Sequence, residues 1–248
     1  MDLDILTVNL WGLPWPLTRE RHARKRRFTE HLARRAYDLV GIQELWWPWR
    51  RTLALASLAL PRTRRDSGLA LAGRLPVRDE LRVRHFRHGG GVDRLKRKGA
   101  LRASVEMPSG DLLSVCVAHL QAGRRYAAVR ARQLRQLLDP LLVERRPVAL
   151  MGDFNFHDEC EEDRRSAEHL RSAGFADAAL ELAQAEPTYH SESNAYLRSR
   201  HRAHRFDRVY LRDGGGLRLR PLETEVMHLR PRPVSDHHPL RVRVRVSG

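Results

Sequence analysis

The sequence predicts an α/β protein in which β-sheets pack together with helices outside them. Three observations predict it. Apolar β-branched runs alternate with segments of helical periodicity, strands outnumber helices, and the helices fall between groups of strands. At 248 residues, 42% of them hydrophobic, the chain is long enough to bury a sizeable core. No linker longer than a loop interrupts it, so residues 1–248 read as one domain. The runs from His88 to Gly91 and from Asp213 to Gly216 are turns within that domain rather than boundaries.

The first element is the β-branched apolar run from Asp4 to Leu10, which Gly12-Leu13-Pro14 ends. From Thr18 to Ala36, Phe28, Leu32 and Ala36 recur at helical spacing with charges on the other faces, so a helix follows. Leu39 to Leu45 forms the second strand, and Trp46-Trp47-Pro48-Trp49 is its exit loop because the proline interrupts pairing. A short helix is expected over Arg51 to Leu60. Strand signals return at residues 68–72, 100–106 and 112–120. From Tyr126 to Val143 a longer helix carries Leu134, Leu137, Leu138 and Leu141 on one stripe. A strand at 148–152, a helix at 161–172 and strands at 205–211 and 240–246 complete the pattern. In the last strand Val242, Val244 and Val246 alternate with Arg241, Arg243 and Arg245, which sends the valines to the core and the arginines to solvent.

The charge balance is strongly basic: Lys+Arg 46 against Asp+Glu 30, or +16. Only Lys25, Lys96 and Lys98 are lysines, and the arginines spread along the whole chain. Such a surface attracts polyanions or anionic membranes without choosing between them. Cys116 and Cys160 form no CxxC pair, so neither a zinc ribbon nor a disulfide framework is indicated, and free thiols suit a reducing compartment. The acidic start, MDLDILTVNL, is unlike a signal peptide, and no apolar run approaches the roughly 20 residues of a membrane span. A soluble, cytoplasmic monomer is expected, with peripheral association at membranes.

Six polar islands close apolar stretches and carry the chemistry. They are Asn9 in TVNLWG, Glu44 in GIQELW, His119 in VAHLQ, Asp153 and Asn155 in GDFNF, Asp207 in FDRVYL, and Asp236-His237 in SDHHPL. Acids, amides and histidines at strand mouths are what holds a hard divalent cation beside a phosphate. Asp153 and Asn155, two apart in extended backbone, face the same side and reach one phosphate or one water; an ordinary Asp/Asn turn is the competing reading. Glu44 follows an apolar run, and a Mg²⁺ ion would supply the partner that a buried carboxylate needs. A base histidine needs an acceptor on its second nitrogen, and Asp207 is the best candidate to orient His237. His119 is placed to donate to a charged phosphoryl oxygen. His157, His201 and His204 lack partners at convincing spacing, and the acidic cluster from Asp158 to Asp163 reads as a solvated helix start.

In this order, the islands resemble the endonuclease/exonuclease/phosphatase superfamily. The resemblance runs from Asn9 to Pro239, with GDFN and SDHHP its most specific motifs. It implies a four-layered α/β sandwich, two mainly antiparallel β-sheets flanked by helices, and Mg²⁺-dependent cleavage of phosphoesters, with Mn²⁺ as a substitute. Further stretches, including NLWGLPWPLTRERHARKRR, SGLALAGRLPV, Lys98-Gly99 and AHLQAGRRYAAVRARQL, are similar to the neutral sphingomyelinase branch. By that likeness Glu44 is the principal metal ligand, with Asn9 and Asp236 assisting. Asp153 and Asn155 align water and phosphate, His237 is the base paired with Asp207, and His119 stabilises the transition state.

The substrate is then a phosphodiester at a phospholipid surface, with nucleic acid as the alternative and a non-catalytic binding module as a third reading that would need a damaged site. All five tryptophans fall in the loops that leave the strands of Asn9 and Glu44, and amphipathic rings beside arginines suit a membrane interface. They would equally stack on bases or on one another. Lys98, Trp11, Trp46 and Trp47 are the candidates to touch substrate.

Overall fold

Thirteen strands and five α-helices follow one another among the described residues of the computed structural model, which are 1–46, 66–79, 81–91, 93–197 and 202–248. The first half contains β1 (Asp2–Asn9), α1 (Arg21–Arg34), β2 (Leu39–Gln43), β3 (Ala70–Ala72), β4 (Arg82–His85), α2 (Asp93–Lys96), β5 (Gly99–Glu106) and β6 (Leu112–His119). The second contains α3 (Ala127–Leu142), β7 (Val148–Asp153), α4 (Glu161–Ser172), β8 (Ala176–Asp177), α5 (Ala178–Glu181), β9 (Tyr189–His190), β10 (Ala203–His204), β11 (Asp207–Arg212), β12 (Arg218–Val226) and β13 (Leu240–Ser247). The helix expected over 51–60, Trp47 and Trp49 lie outside the described residues.

Two large sheets result, ordered β12-β13-β1-β2-β3 and β4-β5-β6-β7-β11-β8. Each is antiparallel except for one central parallel pair, β1 with β2 and β6 with β7. Alternation of side chains gives each sheet an apolar inner face, and Ile5, Leu39, Val115, Val117, Met151, Val209, Val242 and Val244 fill the space between them. Phe28 of α1 covers the outer face of the first sheet through Leu6, Val8 and Ile42. Leu134, Leu137, Leu138 and Leu141 of α3, with Leu170 of α4, cover the second through Cys116, Val148 and Leu150. The layers are therefore helix, sheet, sheet, helix, as the resemblance implied.

The strand β13 corrects one detail. Its valines do enter the core, but Arg241 is nearly buried and bonds to Asp4, Glu223 and Glu225 of the flanking strands instead of facing open solvent. Five strands went unexpected: β8, β9 and β10 are two residues each, too short to leave a pattern, and β4 and β12 are edge strands. Neither buries a continuous apolar face, and β12 carries Pro221 at a register shift, so the period-2 signal is weak in each. A third correction concerns Asp163. It is fully buried in a bidentate pair with Arg130 (2.8 and 2.6 Å), not solvated with the rest of its acidic cluster.

Candidate active site

The C-terminal ends of the two parallel pairs meet where the sheets face each other. Register places Asn9 level with Gln43, one residue before Glu44, and His119 level with Asp153. Asp207 opens β11 opposite Asp153, and the loop before β13 brings in Asp236 and His237. Asn9, Glu44, His119, Asp153, Asn155, Asp236 and His237 thereby line one cleft of about 740 Å³. Close backbone approach at this mouth depends on two glycines. A Cβ on Gly152 (φ 142°) would lie 1.9 Å from the Ala118 carbonyl oxygen, and one on Gly12 would lie 1.9 Å from that of Glu44.

Behind the cleft wall, His237 donates through Nδ1 to Asp207 Oδ2 at 2.7 Å. Thr188 Oγ1 donates to the same oxygen at 2.6 Å and accepts the backbone N–H of Asp207 at 3.1 Å. The backbone N–H of His238 donates to the Thr188 carbonyl, which ties the histidine loop to that residue. This arrangement fixes the tautomer of His237 and leaves Nε2 for the cleft. Burial disfavours the imidazolium, but the charge and hydrogen bond of Asp207, helped by Asp153 and Asp236, outweigh it and push the ring up to about 10.

Asp153 forms the floor. Its Oδ2 accepts from Asn9 Nδ2 at 2.9 Å and lies 3.4 Å from His119 Nε2, while Oδ1 accepts the backbone N–H of Asn155 at 3.0 Å. Burial, with Asp207 adding to it, pushes the Asp153 carboxyl up against the pull of His237 and Lys98. His119 is driven well below its ordinary value, by burial first and then by the charges of Lys98 and Lys96, so its ring stays neutral. Asn155 donates through Nδ2 to the Leu120 carbonyl and holds a left-handed backbone (φ 52°).

The opposite wall is less satisfied. Glu44 is only 6% exposed, sits at φ 55°, and its Oε2 is buried with no hydrogen-bond partner. Such backbone outliers in non-glycine residues cluster at functional sites. The only ion pair of Glu44 among the described residues is Lys96 Nζ at 3.8 Å. Asp236 takes a hydrogen bond from Ser235, yet burial and the nearby charge of Glu44 push its carboxyl up. Two repelling carboxylates and an orphaned oxygen fit a hard divalent cation, whose donors are oxygens. Asn9 Oδ1 stands alongside with one lone pair engaged by the Trp11 N–H.

Sequence reasoning missed three supports. Thr188 has no motif around it and enters only through its contact with Asp207. Asp93 pairs with Lys98 at 2.8 Å, and Lys98 also donates to the Leu120 carbonyl, so this lysine is buried rather than part of a solvated basic run. His157 and His204, set aside for want of partners, stand together on the cleft wall. Among the candidate substrate contacts, Lys98 and Trp11 do line the cleft. Trp46 does not, because its indole lays against Gly68, where the missing side chain makes room.

Residues 6–237 match the model of the Endonuclease/Exonuclease/phosphatase family. The chain belongs to this family of phosphoric ester hydrolases. Over 175 residues it is 27% identical to the inositol phosphosphingolipids phospholipase C of Schizosaccharomyces pombe, a match spanning 62% of this chain and 41% of that protein. The chain thus spans about two-fifths of that relative's length. Among solved structures, D. rerio TDP2 complexed with single strand DNA product superposes with a TM-score of 0.81 at 20% identity, over 98% of this chain and 99% of that one. Sphingomyelinase C from Streptomyces griseocarneus does so with a TM-score of 0.73 at 20% identity, over 98% and 99%. At these identities the structures establish the family's fold. Among the described residues no helix is long and apolar enough to cross a membrane.

Proposed function

We propose that the chain is a Mg²⁺-dependent phosphodiester hydrolase that releases the phosphorylated headgroup of a phospholipid by attack of water in line with the leaving group. One observation carries the reading: a buried His-Asp pair and a partnerless carboxylate oxygen open on the same cleft. Glu44 and Asp236, with Asn9 beside them, would hold the cation, and Mn²⁺ would substitute for Mg²⁺. When bound, a divalent cation supplies charge neutralisation at phosphoryl oxygens and the leaving alkoxide.

The remaining work falls to the chain. His237 Nε2 takes the proton of the attacking water, and Asp207 and Thr188 hold the ring in the tautomer that can accept it. Against burial, the charge and hydrogen bond of Asp207 hold this ring toward its protonated form, and Asp153 and Asp236 add to them. Compensation of the charges of Asp153 and Asp236 by a bound cation would ease its deprotonation. Asn155 and Asp153 orient water and phosphate. The 3.4 Å gap between His119 and Asp153 is long enough to leave the Nε2 proton for an oxygen on which charge grows.

Two features favour a lipid. Trp15 and Leu17, 84% and 59% exposed, stand on the loop after β1, and Trp11 of the same loop lines the cleft. The S. pombe relative is, by its name, a phospholipase C of phosphosphingolipids. Nucleic acid is the second reading, favoured by the +16 charge, since phosphate contacts supply most non-specific affinity. Site assignments, monomeric state, a single domain over 1–248 and cytoplasmic peripheral action belong to the same proposal. Mg²⁺-loaded protein is incubated in parallel with phosphosphingolipid vesicles and with plasmid DNA. Release of the phosphorylated headgroup with plasmid intact supports the lipid reading, and nicked plasmid with intact lipid overturns it.

A further inference from the structure

Outside the residues assigned above, the most unusual cluster is on the opposite lip of the cleft, where the loop after β7 meets β10. One donor atom from each of His157, Glu159 and His204 lies within 4.8 Å of the others. His157 is only 8% exposed, yet neither of its ring nitrogens has a hydrogen-bond partner. A buried imidazole normally finds at least one. We propose that His157, Glu159 and His204 bind a borderline divalent transition-metal ion of the zinc class, at a site separate from the all-oxygen pair Glu44 and Asp236. This inference does not rest on the hydrolysis proposed above.

The donor set decides the class. Two imidazoles and a carboxylate form a nitrogen-rich set that suits zinc, whereas Mg²⁺ prefers oxygens. His157 Nδ1 and Glu159 Oε1 are already 3.5 Å apart. Donors on a tetrahedral ion with bonds of roughly 2.0–2.1 Å stand about 3.3–3.5 Å from one another. Glu159 is exposed and supplies the remaining adjustment.

Both histidines are held in place from behind. The backbone N–H of His157 donates to Asp163 Oδ2 at 3.0 Å, and Arg130 grips that carboxylate through two hydrogen bonds. The Cys160 N–H closes the loop on the His157 carbonyl at 2.8 Å. His204 stacks on Phe206 with ring centroids 4.8 Å apart and planes 13° from parallel, and His157 meets the same ring edge-on. Among the described residues one protein cation competes: Arg124 Nε lies 3.9 Å from Glu159 Oε1. That pair is largely exposed, of a kind worth about 0–1 kcal/mol, and a metal ion displaces it. Three protein ligands leave a fourth position. All three residues line the cleft that holds His237, so the fourth position is open to water or a phosphoryl oxygen from that space.

The test uses the full chain carrying Glu44→Gln and Asp236→Asn, which removes the oxygen pair. Calorimetric titration with Zn²⁺ should show one bound ion, and Co²⁺ should give the intense visible absorption of a four-coordinate nitrogen-containing site. Adding His204→Gln or Glu159→Gln should each weaken Zn²⁺ binding by at least ~100-fold, beyond the 10–100-fold that even outer-shell partners of a ligand carry. Glu159 is exposed, so its variant folds, and melting curves without metal check the other. No Zn²⁺ bound, Zn²⁺ affinity unchanged by either substitution, or an equal affinity for Mg²⁺ would each overturn the assignment.

Discussion

Around His237 almost every polar group finds a partner within the protein, whereas around Glu44 charge is left uncompensated. On the histidine side the ring, Asp207, Thr188 and two backbone N–H groups form a closed set, with Asp207 Oδ1 the one atom left over. On the acid side Glu44 Oε2 is orphaned, Lys96 reaches only 3.8 Å, and Asp236 is pushed up by burial first and then by the charge of Glu44. Both sides are buried, so the difference is not one of solvation. A low dielectric makes an unmatched group costly, and a chain keeps such groups where something else completes them. The proton-handling half is finished by folding. On the reading proposed above, the cation-binding half is finished by a ligand.

Variants on the two sides should therefore fail differently. His237→Ala and Glu44→Ala should each lower kcat for phosphodiester hydrolysis by ~10²–10⁴-fold, the range of a lost general base or electrostatic donor. Only the second should lose Mg²⁺ binding in a calorimetric titration. A His237→Ala protein that no longer binds Mg²⁺ would erase the distinction between the two sides.

The closed set also predicts a pH signature in protein stripped of metal with a chelator. The folded ring is raised to about 10 from an ordinary 6.5. Its contribution to stability is thus fully present below pH ~6.5 and disappears as pH rises through about 10. Urea unfolding should show a loss on the order of 2–4 kcal/mol across that window. In Asp207→Asn the slope should flatten, because the neutral amide no longer holds the imidazolium. An unchanged slope would mean that Asp207 does not set the ring.

A smaller effect of opposite sign is expected at Glu44. In metal-free protein Glu44→Gln removes one of the two repelling carboxylates and should stabilise by about 1 kcal/mol, or roughly 2–4 °C in Tm for a chain of this size. The rise in Tm that Mg²⁺ gives the wild type by binding the folded state should vanish with it. Destabilisation by Glu44→Gln would show that Lys96 already satisfies the carboxylate.

Central strands and the residues at their mouths were legible in the sequence because burial writes both. A run such as Val148 to Gly152 is apolar on every position, and a polar residue at its end is conspicuous. Asp153 and His119 therefore stood out before any coordinates. Edge strands β4 and β12 bury too little to leave such a pattern. Partners that meet only through topology were also silent. Thr188 reaches Asp207 across 19 residues, and His157 meets His204 across 47, carried there by the pairing of Asp153 with Asp207. Spacing along the chain holds no trace of either meeting. The alternation of His204 with Phe206, two residues apart before a strand, was the one local sign that they share a face.

The weakest expected effect concerns the rim rather than either side of the cleft. Trp15 and Leu17 are exposed on the loop that follows Asn9, and neither is needed to hold the catalytic geometry. A tryptophan buries 150–250 Å² when it finds an apolar surface, at about 25 cal/mol per Å², so partial insertion into a bilayer is worth a kilocalorie or two. Trp15→Ser with Leu17→Ser should therefore reduce partitioning onto phosphosphingolipid vesicles by about 10-fold. Hydrolysis of a water-soluble phosphodiester should stay within about twofold, as for ordinary surface substitutions. Equal loss on both substrates would make the loop part of the catalytic scaffold. Unchanged vesicle binding with weakened retention on single-stranded DNA would turn the same two side chains into a platform for bases, and the lipid reading would fail with it.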